Sequence, residues 1–209
     1  LDITAKENAE TWATSLGATI LPTGTLRLTK TTNVKQLVGF DEGAWWVQDA
    51  AATLPVALLG NVEGKYIIDL CAAPGGKTAQ LVSRGAIVSS VERSPKRLKR
   101  FEENLARLSM TAEAFCSDAA QWAPNKKADA ALLDAPCSST GTIRRHPDIQ
   151  HLKTSEDVKK LATAQYRLLE AALKMVKPGG KVIFCTCSLQ PEEGPELIEK
   201  VLREHSSVR

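Results

Sequence analysis

The sequence predicts an α/β fold, a mostly parallel sheet with helices on both faces, led by a small α+β unit. Three observations carry that expectation. From Tyr66 onward, short apolar runs alternate with longer stretches of helical period. A glycine-rich loop, Asp69-Leu-Cys-Ala-Ala-Pro-Gly-Gly-Lys-Thr78, separates the first run from the first helix. Acidic residues then follow successive runs at Glu92, Asp118 and Asp134, where open sheets of this kind place their ligands.

Taken in order, Thr4-Ala-Lys-Glu7 has the spacing of a capping box and predicts a helix to Leu16. Residues 18–21 and 25–28 predict a hairpin about Pro22-Thr-Gly24. Residues 45–59 read as one apolar helix with Pro55 inside it, closed by Asn61-Val-Glu-Gly64. The expected division therefore falls near residue 61, with a leading unit over 1–60 and a main domain over 61–209. Within the main domain, strands are expected at 66–70, 86–91, 112–116, 130–134 and 181–186. Helices are expected from Lys77, over 95–108, over 155–176 and over 195–204.

A length of 209 residues suits one main domain, and 43% hydrophobic with 24% charged residues is ordinary for a globular chain. No apolar run approaches the roughly 20 residues of a membrane span, so no membrane contact is expected and a cytoplasmic location is. The net charge of +3 does not announce a nucleic-acid binder. Local clusters say more: Arg93, Lys96, Arg97, Lys99 and Arg100 at one helix start, and Arg144, Arg145, His146, His151 and Lys153 in a loop. The first cluster reads as a solvated face. The five cysteines are odd in number and form no C-x-x-C pair, so neither a disulfide framework nor a metal site is expected. Cys71, Cys116 and Cys185 read as small buried hydrophobes, whereas Cys137 and Cys187 lie at strand ends beside polar residues, where reactive thiols are placed.

The end of the glycine-rich loop, Gly76-Lys77-Thr78, matches the close of a phosphate-cradling P-loop. That pattern needs a glycine where Cys71 stands, and Pro74 obstructs the backbone wrap. A nucleotide triphosphate is the weaker reading. Two glycines that let backbone approach a ligand, an acid after the second strand for a ribose diol and an acid after the third for an adenine amino group describe an adenosine-containing cofactor. The G-x-G-x-x-G of dinucleotide sites is absent, so the adenosine half of S-adenosylmethionine fits better than NAD.

The stretches DLCAAPGGKT (residues 69–78), LLDAPCSSTGTIRRHPDI (132–149) and CTCSLQPEEG (185–194) resemble the cofactor, catalytic and nucleophile motifs of the RsmB/Sun/NSUN family of RNA 5-methylcytosine methyltransferases. GAWWVQDAAATLP (43–55) resembles the segment leading into that family's catalytic domain, and IRRHPDI is closer to its bacterial ribosomal-RNA branch. The resemblance implies a Rossmann-like class I S-adenosylmethionine-dependent methyltransferase fold. It assigns thiolate attack on the sixth ring carbon of cytosine to Cys187, a part in product release to Cys137, and contact with both base and cofactor to Asp134. It also implies cofactor contacts from Cys71, Ala72, Ala73, Pro74, Gly75, Gly76 and Lys77, ribose contact from Glu92, support from Arg97 and adenine contact from Asp118. Arg144, Arg145 and His146 are expected to hold RNA, ribosomal RNA first of all, and the leading unit is expected to assist.

Glu92 replaces the Asp more usual in the family, a longer acid that still reaches a diol. Folds of this class usually add two strands after the helix over 195–204, and a larger N-terminal helical domain precedes the family's catalytic domain, so the chain is expected to be a piece of a longer protein. The alternatives left open are a transfer-RNA methyltransferase of the same fold, a non-catalytic RNA-binding scaffold and, as an outsider, a P-loop NTPase.

Overall fold

The computed structural model describes residues 1–29 and 33–209. The leading unit comprises β1 (Asp2–Ala5), α1 (Ala9–Leu16), β2 (Thr19–Ile20), β3 (Leu26–Arg27) and β4 (Trp45–Val47), its strands forming an antiparallel sheet in the order β2-β3-β1-β4. The hairpin expected about Pro22-Thr-Gly24 is β2 with β3. The helix expected from the Thr4 capping box does not form there. Thr4 instead pairs with Trp46 across β1 and β4, and its hydroxyl donates to Gln48 Oε1 at 2.9 Å. Cross-strand pairing overrides the local helix signal, and α1 begins only after Asn8.

The helix expected over 45–59 splits for the same reason. Trp45 and Trp46 are buried in β4. Asp49 then caps α2 (Ala50–Leu58) by accepting the Ala51 N–H at 3.0 Å.

The main sheet is parallel throughout and runs β7-β6-β5-β8-β9, built from β5 (Tyr66–Leu70), β6 (Ile87–Glu92), β7 (Glu113–Cys116), β8 (Ala128–Asp134) and β9 (Val176–Cys185). Its helices are α3 (Gly76–Ser83), α4 (Pro95–Arg107), α5 (Ile149–Leu152), α6 (Ser155–Met175) and α7 (Pro195–Glu204). The strand β9 starts earlier than its apolar run because Lys177-Pro-Gly-Gly180 enters it as an irregularity opposite Ala128 and Ala130. That proline is tolerated on the last strand of the described sheet.

Alternation along the strands sends successive side chains to opposite faces. Ile68, Leu70, Ala131 and Leu133 meet Leu168, Leu169 and Ala172 of α6 and Leu197 and Val201 of α7. Ile67, Val88, Ala130 and Leu132 meet Val56 of α2 and Leu81 of α3. Both faces are covered, which is why these strands read as continuous apolar runs.

The leading unit is fastened to the C-terminal end of α4. Arg107 donates to the carbonyls of Phe40 and Trp45 at 2.6 and 3.2 Å and lies over the Phe40 ring, while Lys6 donates to the Leu108 carbonyl at 2.9 Å. Among the described residues no helix is long and apolar enough to cross a membrane.

Candidate active site

The order β7-β6-β5-β8-β9 reverses direction beside β5, so the loops after β5 and β8 diverge there. In open parallel sheets this is where a crevice forms beyond the carboxyl ends. A cavity of about 660 Å³ occupies that position, lined at successive strand ends by Cys71, Glu92, Asp118, Asp134 and Cys137.

The loop after β5 turns sharply. Cys71 adopts a left-handed backbone at φ +60°, and Gly75, at φ +105°, lies so close to Phe101 that a Cβ there would meet the ring at 3.1 Å. Thr78, in the first turn of α3, ties the loop back by donating to Asp69 Oδ2 at 2.5 Å. Burial pushes the Asp69 carboxyl up to about 7, against the opposing influence of the Thr78 hydrogen bond and the Lys77 charge. Burial likewise pushes the Cys71 thiol up to about 12, with Glu92 adding to the effect.

Glu92 ends β6 with only 3% of its surface exposed. Its Oε1 accepts the Ser94 N–H at 2.9 Å, whereas Oε2 accepts no hydrogen bond and lies 3.3 Å from Arg97 Nη1. Arg97 also donates to the Ala73 carbonyl at 2.5 Å, joining the acid to the glycine-rich loop. Asp118 accepts the Ala120 N–H at 3.0 Å, an Asx turn that fixes its carboxylate. A buried acid with a spare oxygen, beside a second acid on one cavity wall, fits a ligand rich in hydroxyl and amino donors.

Asp134 ends β8 and forms a 2.7 Å ion pair with Lys77. Burial works against the Lys77 charge, but Asp134, Cys185 and Asp69 together outweigh it, and the lysine pKa stands above its ordinary value. Lys77 is therefore turned to Asp134 and does not line the cavity. Of the loop residues expected to meet the cofactor, only Cys71 lines it. Ala72 and Ala73 are buried beside Phe101, while Pro74, Gly75 and Gly76 shape the turn behind the wall.

Cys137 and Cys187, 50 residues apart, meet with their sulfurs 3.3 Å apart. Cys187 Sγ also lies 3.4 Å from Ser139 Oγ. A hydrogen bond from Cys187 holds a negative charge on Cys137, helped by Thr186 and the Ser139 N–H, so the pair's first proton leaves below the ordinary thiol range. The second must leave against that charge, and Cys187 is pushed upward. Cys185 sits behind them at the end of β9, raised by burial and then by Asp134. Cys116, expected as a buried hydrophobe, is exposed instead, at the end of β7, the opposite outer strand of the sheet.

Arg144, Arg145 and His146 are exposed and do not line the cavity. Their loop begins beside Cys187, whose carbonyl accepts the Gly141 N–H at 2.9 Å, and Arg145 pairs with Asp49 at 3.3 Å. Sequence reasoning missed Arg167, which lines the cavity with Leu161, Ala164 and Leu168. These four follow the helical period along α6, a signal that reads equally well as core. It also missed Ser138, Gln165, Ser188 and Glu193, which hold the two cysteine loops. Of the adjacent Glu192 and Glu193, nothing in the sequence says which is buried.

Comparison with known proteins adds a lineage to this geometry. The family model described as 16S rRNA methyltransferase RsmB/F matches residues 56–209. Ribosomal RNA small subunit methyltransferase B of Vibrio cholerae is 44% identical over 182 residues, covering 85% of this chain and 42% of that protein. The protein of the same name from Erwinia tasmaniensis is 45% identical over 186 residues, covering 87% and 43%. The chain thus spans less than half the length of these relatives. Among solved structures, a methyltransferase homolog protein from Pyrococcus horikoshii superposes with a TM-score of 0.83 at 28% identity, covering 97% of this chain and 69% of that one. NSun6 from the same organism, solved with SFG, gives a TM-score of 0.76 at 29% identity, covering 86% and 48%.

Proposed function

The chain belongs to the 16S rRNA methyltransferase RsmB/F family, and from that premise we propose that it transfers a methyl group from S-adenosylmethionine to the 5-position of a cytosine in RNA, with bacterial small-subunit ribosomal RNA as the substrate. The observation that carries this reading is the 3.3 Å contact of Cys137 and Cys187 on a cavity that Glu92 and Asp118 also line. An S-adenosylmethionine site alone needs no thiol pair. A cytosine carbon that is a poor nucleophile calls for one thiolate to activate the ring, and a second group beside it can take the proton from the 5-position.

Glu92, with its spare Oε2, holds the ribose diol of the cofactor, Asp118 the adenine amine, and Arg97 keeps Glu92 in place. The bound cofactor supplies an electrophilic methyl on a sulfonium. On the RNA side, the two thiols share a proton across their 3.3 Å contact, and the form with that proton on Cys137 leaves Cys187 as the thiolate. Cys187 then adds to the sixth ring carbon, and the electron pair moves into the ring so that the 5-position becomes nucleophilic. As the electron pair arrives, the ring nitrogen takes a proton from solvent, and Asp134 accepts hydrogen bonds from that N–H and from the exocyclic amine; the nitrogen returns the proton to solvent when Cys187 leaves. After methylation, Cys137 gives its proton to solvent and takes the one on the 5-position, the ring double bond re-forms, and Cys187 leaves.

Arg144, Arg145 and His146 hold the RNA backbone or stack on bases around an extruded cytosine. We assign residues 1–60 to the RNA side and 61–209 to catalysis, supported by the Arg145–Asp49 ion pair that joins the basic loop to the leading unit. Such a role places the protein in the cytoplasm.

The test is incubation with methyl-labelled S-adenosylmethionine and a panel of small-subunit ribosomal RNA, transfer RNA and unrelated RNA. Label is expected in the cytosines of the small-subunit RNA. Selective labelling of transfer RNA would move the substrate assignment there, and RNA binding without any label would leave a non-catalytic scaffold.

A further inference from the structure

Glu193 has no exposed surface, and it ends the short turn Pro191–Glu193 that follows Cys187. Its Oε1 accepts the Ser138 N–H at 2.9 Å and Gln165 Nε2 at 2.9 Å. Its Oε2 accepts the hydroxyls of Ser138 and of Ser188, the latter at 2.6 Å. Ser138 directly follows Cys137, and Ser188 directly follows Cys187. Gln165, itself fully buried in α6, also donates to the Pro136 carbonyl at 2.9 Å. One carboxylate therefore gathers both cysteine loops and the helix beneath them.

A buried charge is costly unless it is paired or richly hydrogen-bonded. Among the described residues no lysine, arginine or histidine pairs with Glu193. All of its compensation comes from donors in three separate segments, so moving either loop leaves a buried carboxylate short of a donor. The energy of that carboxylate is thus tied to the distance between the loops, and with it to the distance between the two sulfurs.

We propose that Glu193 is a positioning residue for the proposed methyl transfer, clamping Ser138 and Ser188 so that Cys137 and Cys187 stay within proton-sharing distance. The clamp acts through the serines and touches neither base nor cofactor. This inference rests on the proposed function for its purpose, but its physical content concerns the thiol pair alone.

The test follows alkylation of Cys137 and Cys187 by iodoacetamide as a function of pH, read by mass spectrometry of the two peptides in the protein without RNA or cofactor. The other charged groups around the pair are Asp134 at the end of β8, Lys77 behind it and Arg167 on α6, and none of them is altered; the one charge removed is that of Glu193 itself, whose loss alone would lower the midpoint, so an upward shift reports the parting of the loops. The wild-type profile is expected to rise below the ordinary thiol midpoint of about 8.5. In Glu193→Gln the amide nitrogen cannot accept, the loops part, and the midpoint is expected to move up by at least about one pH unit toward that value. Ser188→Ala removes a single donor and keeps the other three, so it serves where the Gln variant folds poorly; its midpoint is expected to move the same way by less. A midpoint unmoved in a folded variant, with only a lower melting temperature, would make Glu193 a structural residue and overturn the proposal. Failure of the wild-type protein to methylate any RNA would count against the proposed function, and the alkylation profile would still decide the clamp.

Discussion

Cys187→Ala is expected to abolish methyl transfer, with a loss on the order of 10,000-fold or more, because no other group at the site can form the covalent bond that activates the cytosine ring. Cys137 does not substitute. Its charge is stabilised by the Cys187 thiol and by Thr186, so removing Cys187 takes away the main partner of the Cys137 thiolate as well as the nucleophile. Cys187 is exposed and lies just beyond β9, and truncating it should shift stability by no more than about 0.5 kcal/mol. Label transfer measured beside a melting curve separates the two effects. A variant that melts like the wild type and still turns over would remove Cys187 as nucleophile.

The second large effect is expected at Asp134, and here the choice of substitution matters. Lys77 has a side chain only 14% exposed, and it is held at 2.7 Å by Asp134, which is 40% exposed. Removing the carboxylate with alanine would strand a buried ammonium, a stability effect that would be mistaken for a catalytic one. Asp134→Asn keeps an oxygen for Lys77 to donate to while removing the negative charge that stabilises the ring nitrogen during addition. It is expected to lower the turnover rate about 100- to 10,000-fold, the usual worth of general acid–base assistance, with a small change in melting temperature. Unchanged turnover would show that Asp134 serves only to hold Lys77.

Much of this was legible in the sequence because the signals were redundant. Ile67, Ile68, Leu70, Leu132 and Leu133 are fully buried, so their strands had to read as apolar runs, and the glycines after the first run had to permit a turn. The acids Glu92, Asp118 and Asp134 stand at successive strand ends of one parallel sheet, and topology alone gathers them at one edge. Cys137 and Cys187 converge for the same reason. Their 3.3 Å approach is a matter of loop conformation, and no spacing encodes it.

The failures have physical causes too. Thr4 and Trp45 lie in segments of helical pattern, yet β1 and β4 pair there because the leading unit buries Ile3 and Trp45 in its own core while Trp46 is buried with Ala79 of α3 and Phe101 of α4. What the sequence does not show is the partner of Lys77: at the start of α3 it donates to Asp134 on the neighbouring strand end. Glu193 was invisible because burial of one acid in a polar turn depends on donors contributed from residues 138, 165 and 188, which meet only in the folded chain.

The account as a whole stands on a covalent adduct between Cys187 and a cytosine that Cys137 helps to release. Incubating Cys137→Ala protein with small-subunit ribosomal RNA and S-adenosylmethionine, then resolving the mixture on a denaturing gel, tests that claim most directly. The predicted result is a shifted protein–RNA band that persists under denaturation and vanishes when Cys187 is also replaced by alanine. Absence of the band from protein that binds both cofactor and RNA, or a band that survives the loss of Cys187, would contradict it.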